Sequence, residues 1–149
     1  MKWPKLLTLV RHDTSAYNAL IKQKQNSVVF QDFIAAFKDD KTSQQTVALA
    51  KQVQEMFSLG VGDADTPLAD TEGRQAYETG VALSKGQTPN IIFVSPYART
   101  WCTLEHITRG WPALKKVRIV EDERIREQEH GLALLYNDWR VLHTLHPEQ

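Results

Sequence analysis

Cysteine is nearly missing from this sequence: Cys102 stands alone among 149 residues, so no disulfide within the chain can staple the fold. A lone cysteine in a helical-looking stretch reads as a small buried hydrophobe, and the expected setting is reducing and cytoplasmic. Net charge is missing too. Eighteen Lys and Arg balance eighteen Asp and Glu, which argues against a nucleic-acid or anionic-membrane partner and leaves room only for a local positive site. No stretch approaches the ~20 apolar residues of a transmembrane helix. The apolar run Leu6 to Val10 is cut by Arg11 before it reaches the ~7–15 residues of a signal-peptide core. Gly60-Val61-Gly62 matches neither a dinucleotide-binding nor a P-loop pattern, so binding of a nucleotide by a Gly-rich loop has little support. Internal repeats, low-complexity tracts and interdomain linkers are also absent.

What remains is the composition of one ordinary globular domain, 42% hydrophobic and 24% charged. Three short apolar runs, Leu6 to Val10, Ile91 to Val94 and Val117 to Val120, suit strands buried on both faces of a parallel sheet. Helical patterns separate them, which predicts right-handed β-α-β units and an α/β fold. Phe30, Phe33, Ile34 and Phe37 predict a helix over residues 28–38, and Leu49, Val53, Met56 and Phe57 a core-facing helix stopped by Gly60. Gly60 to Pro67 reads as a turn-rich loop. After it, Asp70 or Thr71 caps a helix whose face Gly73, Ala76, Gly80 and Leu83 is small enough to lie close against the sheet. Residues 97–109 predict a helix with Ala98, Trp101 and Cys102 inward, ended by Gly110. A last helix is expected from about Leu132 to Leu145, carrying Leu135, Trp139, Leu142 and Leu145.

In open α/β sheets ligands bind beyond the carboxyl ends of the strands. Arg11-His12, Ser95 to Arg99 and Glu121 to Glu129 occupy those positions, and they bring together an imidazole, guanidiniums and carboxylates. Guanidinium forks suit phosphate oxygens, an imidazole can attack phosphorus, and a carboxylic acid can protonate a departing oxygen. Leu9-Val10-Arg11-His12-Asp13-Thr14-Ser15-Ala16-Tyr17-Asn18 resembles the R-H-G-E-S-x-x-N signature of the histidine phosphatase superfamily, the phosphoglycerate mutase-like clan. Asp65 to Arg74 is similar to its D-x-P-L-T-x-x-G-x stretch, Ser95 to Thr100 to its S-P-x-x-R-T motif, and Arg124 to Gly131 to its L-R-E-x-x-x-G motif. Four motifs in the family's order span residues 6 to 131.

That resemblance implies a three-layer α-β-α fold with a mostly parallel sheet, lacking the C-terminal strands, in one partial domain over residues 1–149 with a helical insertion at about 19–66. It implies a phosphatase that hydrolyses a phosphomonoester through a phosphohistidine on His12, with Glu127 as general acid. Arg11, Arg99 and Asn18 would bind the phosphoryl oxygens. No metal or other cofactor is implied; adjacent Glu129 and His130 supply at most two ligands. The partners implied are a phosphorylated small molecule or phosphoprotein, without nucleic acid or membrane, and with self-association through unpaired sheet edges. Arg74, Arg124 and Arg126 read as solvated, with Arg126 the one to reach the site mouth. His143 and His146 read as helix-end residues, and Trp101, Trp111 and Trp139 as core or half-buried surface.

Two departures stand out. Asp13 replaces the glycine of R-H-G, and a carboxylate pointing inward there would oppose an anion. The family's second histidine, which follows a late strand, has no counterpart after Gly131. An inactive fragment or pseudoenzyme that binds a phosphorylated ligand or another protein is therefore the alternative reading.

Overall fold

A computed structural model describes residues 3–127 and 138–148. The described residues form six α-helices and a two-stranded sheet: α1 (Ala16–Gln25), α2 (Val28–Asp39), α3 (Gln44–Phe57), α4 (Arg74–Leu83), β1 (Ile91–Val94), α5 (Ala98–Gly110), β2 (Arg118–Glu121) and α6 (Trp139–Leu145). The chain is thus α/β, and among the described residues no helix is long and apolar enough to cross a membrane.

Two cores form. In the first, Phe30, Phe33 and Phe37 of α2 meet Ala50, Val53 and Phe57 of α3 and Val141 of α6, with Leu20 of α1 packed against them. Phe33 is fully buried and its ring lies 5.8 Å from that of Phe37. The caps explain where these helices begin. Ser43 Oγ accepts the Thr46 amide at the start of α3, and Asp138 accepts the Arg140 amide at the start of α6. Helix α1 was not foreseen, yet Ser15 and Asn18 form a reciprocal capping box at its start. Lys24 of α1 is buried and donates to Asp138 at 3.1 Å, which ties the first helix to the last.

The second core joins Ala76 of α4 to Ile107, Trp111 and Leu114, with Ile92 and Val117 against them. The small-residue face of α4 exists as expected, but it lies on α5 rather than on the sheet. A Cβ at Gly80 would meet the Ile107 carbonyl oxygen at 2.2 Å, and one at Gly110 the Tyr77 carbonyl oxygen at 2.2 Å. Helix α5 in turn covers β1. Strands β1 and β2 pair in parallel with Ile92 opposite Ile119, and Trp101 Nε1 on α5 donates to Glu121 at 2.7 Å.

Several expectations are corrected. Leu6 to Val10 forms no strand and is exposed, Leu9 to 85%. A strand buried on both faces needs a layer on each side, but α2, α3 and α6 pack on one another around Phe33 and leave this run uncovered. Met56 is exposed because Val53 and Phe57 take the inward positions of α3. On α5 the buried side chains are Arg99, Thr103, His106 and Ile107, so Trp101 lies outward. Trp139 is exposed as well, edge-on to Phe37, whereas Trp111 is buried. The cap of α4 is Gly73 in the left-handed region (φ 57°), with Asp70 accepting the Glu72 and Arg74 amides one step earlier. Leu132 and Leu135 lie outside the described residues.

Two outcomes test this packing. Gly80→Ala should cost about 1–3 kcal/mol, because the added methyl meets backbone that cannot rotate away; urea unfolding with a lowered midpoint and unchanged slope is the check. The second concerns pH. Burial opposes ionisation of Asp138, but hydrogen bonds from Arg140 and the charge of Lys24 outweigh it and hold its pKa below the usual carboxylate value. A depressed folded pKa contributes stability above the ordinary carboxylate range that is lost as pH falls through the folded value. Lys24 is shifted down, by burial above all, so its linkage acts on the alkaline limb instead. Asp138→Asn should therefore flatten the acid limb of a stability against pH profile while lowering stability at neutral pH.

Candidate functional site

The segment Arg11 to Thr14 is held from three sides. The backbones of residues 14–16 and 67–69 bridge through Ala16 N to the Pro67 carbonyl and Ala69 N to the Thr14 carbonyl, each at 2.8 Å. Asp13 N donates to Thr103 Oγ1 at 3.0 Å, and that hydroxyl donates to the Arg99 carbonyl at 2.7 Å. Asp13 also reaches α4, where its carboxylate accepts the Ala76 amide at 3.3 Å; its other oxygen accepts the Thr14 amide at 2.6 Å. The anion sits at a helix start, where the backbone dipole favours it. Both oxygens are thus occupied by backbone donors.

A cleft of about 440 Å³ opens beside this segment. Arg11, His12 and Asn18 line it, together with Lys22 of α1 and Gln75 and Thr79 of α4. His12 Nδ1 lies 2.6 Å from the Asp13 carbonyl oxygen. A carbonyl can only accept, so Nδ1 carries a proton, and in the neutral imidazole Nε2 keeps its lone pair. Asn18 spends its side-chain oxygen on Ser15, accepting from its hydroxyl at 2.8 Å, and its amide hydrogens have no partner among the described residues. Arg11 is exposed and makes no ion pair among the described residues.

Arg99 and Glu127 form a second constellation that does not line the cleft. Arg99 is 4% exposed, lies 4.4 Å over the Tyr97 ring, and donates to Asp63 Oδ1 at 2.8 Å and Glu127 Oε2 at 3.0 Å. Tyr97 Oη donates to the Glu127 carbonyl at 3.1 Å. The Thr103 hydroxyl joins the two groups, because it touches Asp13 on one side and Arg99 on the other. Arg126 pairs with Glu123 at 3.8 Å, and Arg124 with Asp122, whose pKa the Arg124 guanidinium pulls down to about 2.

Sequence reasoning passed over Asp63, Tyr97, Thr103 and Lys22. Thr103 follows Arg99 by one helical turn, a spacing at which a threonine bonds back to the carbonyl. Lys22 follows Asn18 by the same interval. Asp63 had only its place in a turn-rich loop to mark it. Among the described residues no group of three or more His, Cys, Asp or Glu is placed to hold a metal ion; Glu129 and His130 lie outside those residues.

The model of the histidine phosphatase superfamily (branch 1) matches residues 52–143, more than half of the chain. The chain belongs to the histidine phosphatase superfamily. The matched span holds Asp63, Tyr97, Arg99, Thr103 and Glu127, whereas Arg11, His12 and Asn18 precede it. No curated protein and no solved structure matches. In this histidine phosphatase superfamily chain, Thr103 therefore links the matched span to the Arg11-His12 segment.

Thr103→Val tests that link. Loss of a buried hydroxyl with two partners should lower stability by about 1–3 kcal/mol, and the Asp13 amide should exchange faster with deuterium. An unchanged Asp13 rate would mean that another acceptor holds this amide.

Proposed function

We propose that this chain is a phosphomonoester hydrolase acting through a phosphohistidine on His12. The observation that carries the reading is the His12 to Asp13 hydrogen bond, which leaves Nε2 with its lone pair on a side chain that lines the cleft. Nε2 attacks phosphorus, the bond from phosphorus to the leaving oxygen breaks, and protonated Glu127 gives its proton to that oxygen. Water then attacks phosphorus, Glu127 takes its proton, and the nitrogen to phosphorus bond breaks to regenerate neutral Nε2. Arg11 and the Asn18 amide hydrogens bind the phosphoryl oxygens, and Arg99 joins them as it exchanges Glu127 for the incoming anion. Asp13 does not oppose the anion as a free carboxylate would, since both its oxygens accept from backbone amides.

The three-layer α-β-α arrangement belongs to the same proposal, as does a single catalytic domain with a helical insertion at about residues 19–66. The substrate is a phosphorylated small molecule or a phosphoprotein. A pseudoenzyme is the second reading, favoured by Arg99 already being matched by two carboxylates.

Hydrolysis of an aryl phosphate separates the two. His12→Ala should reduce phosphate release to the uncatalysed background and abolish acid-labile, base-stable phosphate on the protein. Glu127→Gln should slow turnover by roughly 10²–10⁴-fold, as removal of a general acid does. Equal rates for the wild-type protein and His12→Ala, with no phosphohistidine, would leave the binding-module reading.

A further inference from the structure

We infer that a second small-molecule site lies between α6 and the turn that follows α2, where Lys41 and Trp139 take a compact aromatic carboxylate. The inference stands on residues that the proposed phosphoryl chemistry does not use. A cavity of about 230 Å³ is lined by Lys41, Trp139, Leu142 and His143. Leu142 and His143 follow Trp139 by three and four positions on α6, so the three share one helix face. Phe37 brings Lys41 to that face. The Lys41 ammonium lies 5.3 Å from the Phe37 ring centre, and the Trp139 ring stands perpendicular to that ring at 5.9 Å. A cation and an indole are therefore gathered around one aromatic side chain of the first core.

The polar side chains of this lining have nothing else to bind. Among the described residues Lys41 pairs with no carboxylate, and neither the His143 imidazole nor Trp139 Nε1 makes a hydrogen bond. The acids nearby are placed otherwise. Asp40 Oδ1 accepts from the Thr42 amide at 2.8 Å and from its hydroxyl at 2.7 Å. Asp138 is shared by Lys24 at 3.1 Å and Arg140 at 2.9 Å. Asp39 is exposed and forms no ion pair among the described residues. Lys41 thus stands in the cavity wall as a cation without a counter-ion, which an incoming anion can supply.

The lining also sets the class of ligand. Trp139 is 60% exposed with the Arg140 guanidinium 5.7 Å from its ring, so much of the indole surface is left for a flat apolar group. Aromatic rings pack offset or edge-on against such a surface. One ammonium with an imidazole beside it matches a single carboxylate. A phosphoryl group is better matched by guanidinium forks, and the lining holds no arginine. The volume of about 230 Å³ falls below the ~300–1,000 Å³ of drug-sized sites, so one ring with a short chain fits and a nucleotide does not. Packing of Trp139 on Phe37 for stability alone would leave the cavity without charge-selective binding.

The test is calorimetric titration of the full chain with 3-phenylpropionate and its neutral counterpart, 3-phenylpropanol. Wild-type protein should bind the acid roughly 3–10-fold more tightly than the alcohol, the scale of one partly exposed charge contact. Lys41→Gln should bring that ratio close to one, and Lys41→Arg should keep the preference. Trp139→Leu should weaken both probes by roughly 3–10-fold, the worth of an aromatic contact. A double variant of the other cleft, Arg11→Gln with Lys22→Gln, should bind the acid as the wild-type protein does. Thermal unfolding of each variant checks that it is folded. Equal affinities for acid and alcohol, a preference that survives Lys41→Gln, or an affinity that Trp139→Leu leaves unchanged overturns the inference. Failure of both probes to bind overturns it too, as does loss of acid binding in the double variant, which would put the probe in the cleft beside His12.

Discussion

Asp13 is the residue on which the candidate site depends, because every polar group it has is committed. Its N–H goes to Thr103, its carbonyl receives His12 Nδ1, and its carboxylate caps both its own turn at Thr14 and helix α4 at Ala76. One residue therefore fixes the tautomer of the imidazole and the position of the segment that carries it, and it braces the helix forming one wall of the cleft. A glycine here could supply the N–H and the carbonyl, but not the carboxylate bonds. The substitution that looks hostile to an anion from sequence is thus a local structural device. Its oxygens accept from backbone amides at a helix start while the residue lines the cleft.

This arrangement matters because the molecule has two cores with little apolar contact between them. Phe33 centres one, and Ile107 with Ala76 centres the other. What spans them is polar and backbone-mediated: the bridge between residues 14–16 and 67–69, the Thr103 hydroxyl, and the Ala98 amide on the Ala64 carbonyl at 2.8 Å. The cleft lies along that seam, lined by α1 from one core and by α4 and α5 from the other. Seams of this kind are where small-molecule sites tend to form, since two packed bodies meet without filling the space between them.

Periodicity and caps made the elements of each core legible in the sequence. The phenylalanine stripe of α2, the Gly73, Ala76, Gly80 face of α4, and the runs at residues 91–94 and 117–120 are all patterns that neighbours along the chain enforce. What each face packs against was less legible. The small face of α4 suits any close neighbour, and only the tertiary arrangement makes that neighbour α5. Leu6 to Val10 shows the same limit from the other side, since a β-like run becomes a strand only where a sheet edge and two covering layers are supplied. Of the candidate site, Arg11, His12 and Asn18 share the cleft, while Arg99 and Glu127 share an ion pair. The partners between them, Thr103 and Asp63, act through a back-bonded hydroxyl and a loop carboxylate, for which sequence spacing carries only a faint signal.

Burial decides which of the two carboxylates on Arg99 can give way. Asp63 is held inside, with a side chain 14% exposed, and the same guanidinium nitrogen also donates to its carbonyl at 2.7 Å. The Glu127 side chain is 56% exposed and contributes a single contact. Parting Glu127 returns a half-exposed carboxylate to water and leaves the buried Arg99 paired with Asp63, whereas removing a buried partner such as Asp63 would cost roughly 3–5 kcal/mol. An anion that reached Arg99 would therefore displace Glu127 and leave Asp63 in place. Tyr97 Oη donates to the Glu127 carbonyl, so the Glu127 carboxylate could part from Arg99 without its backbone leaving. The graded exposure of two acids around one buried arginine thus sets which of them an anion would replace.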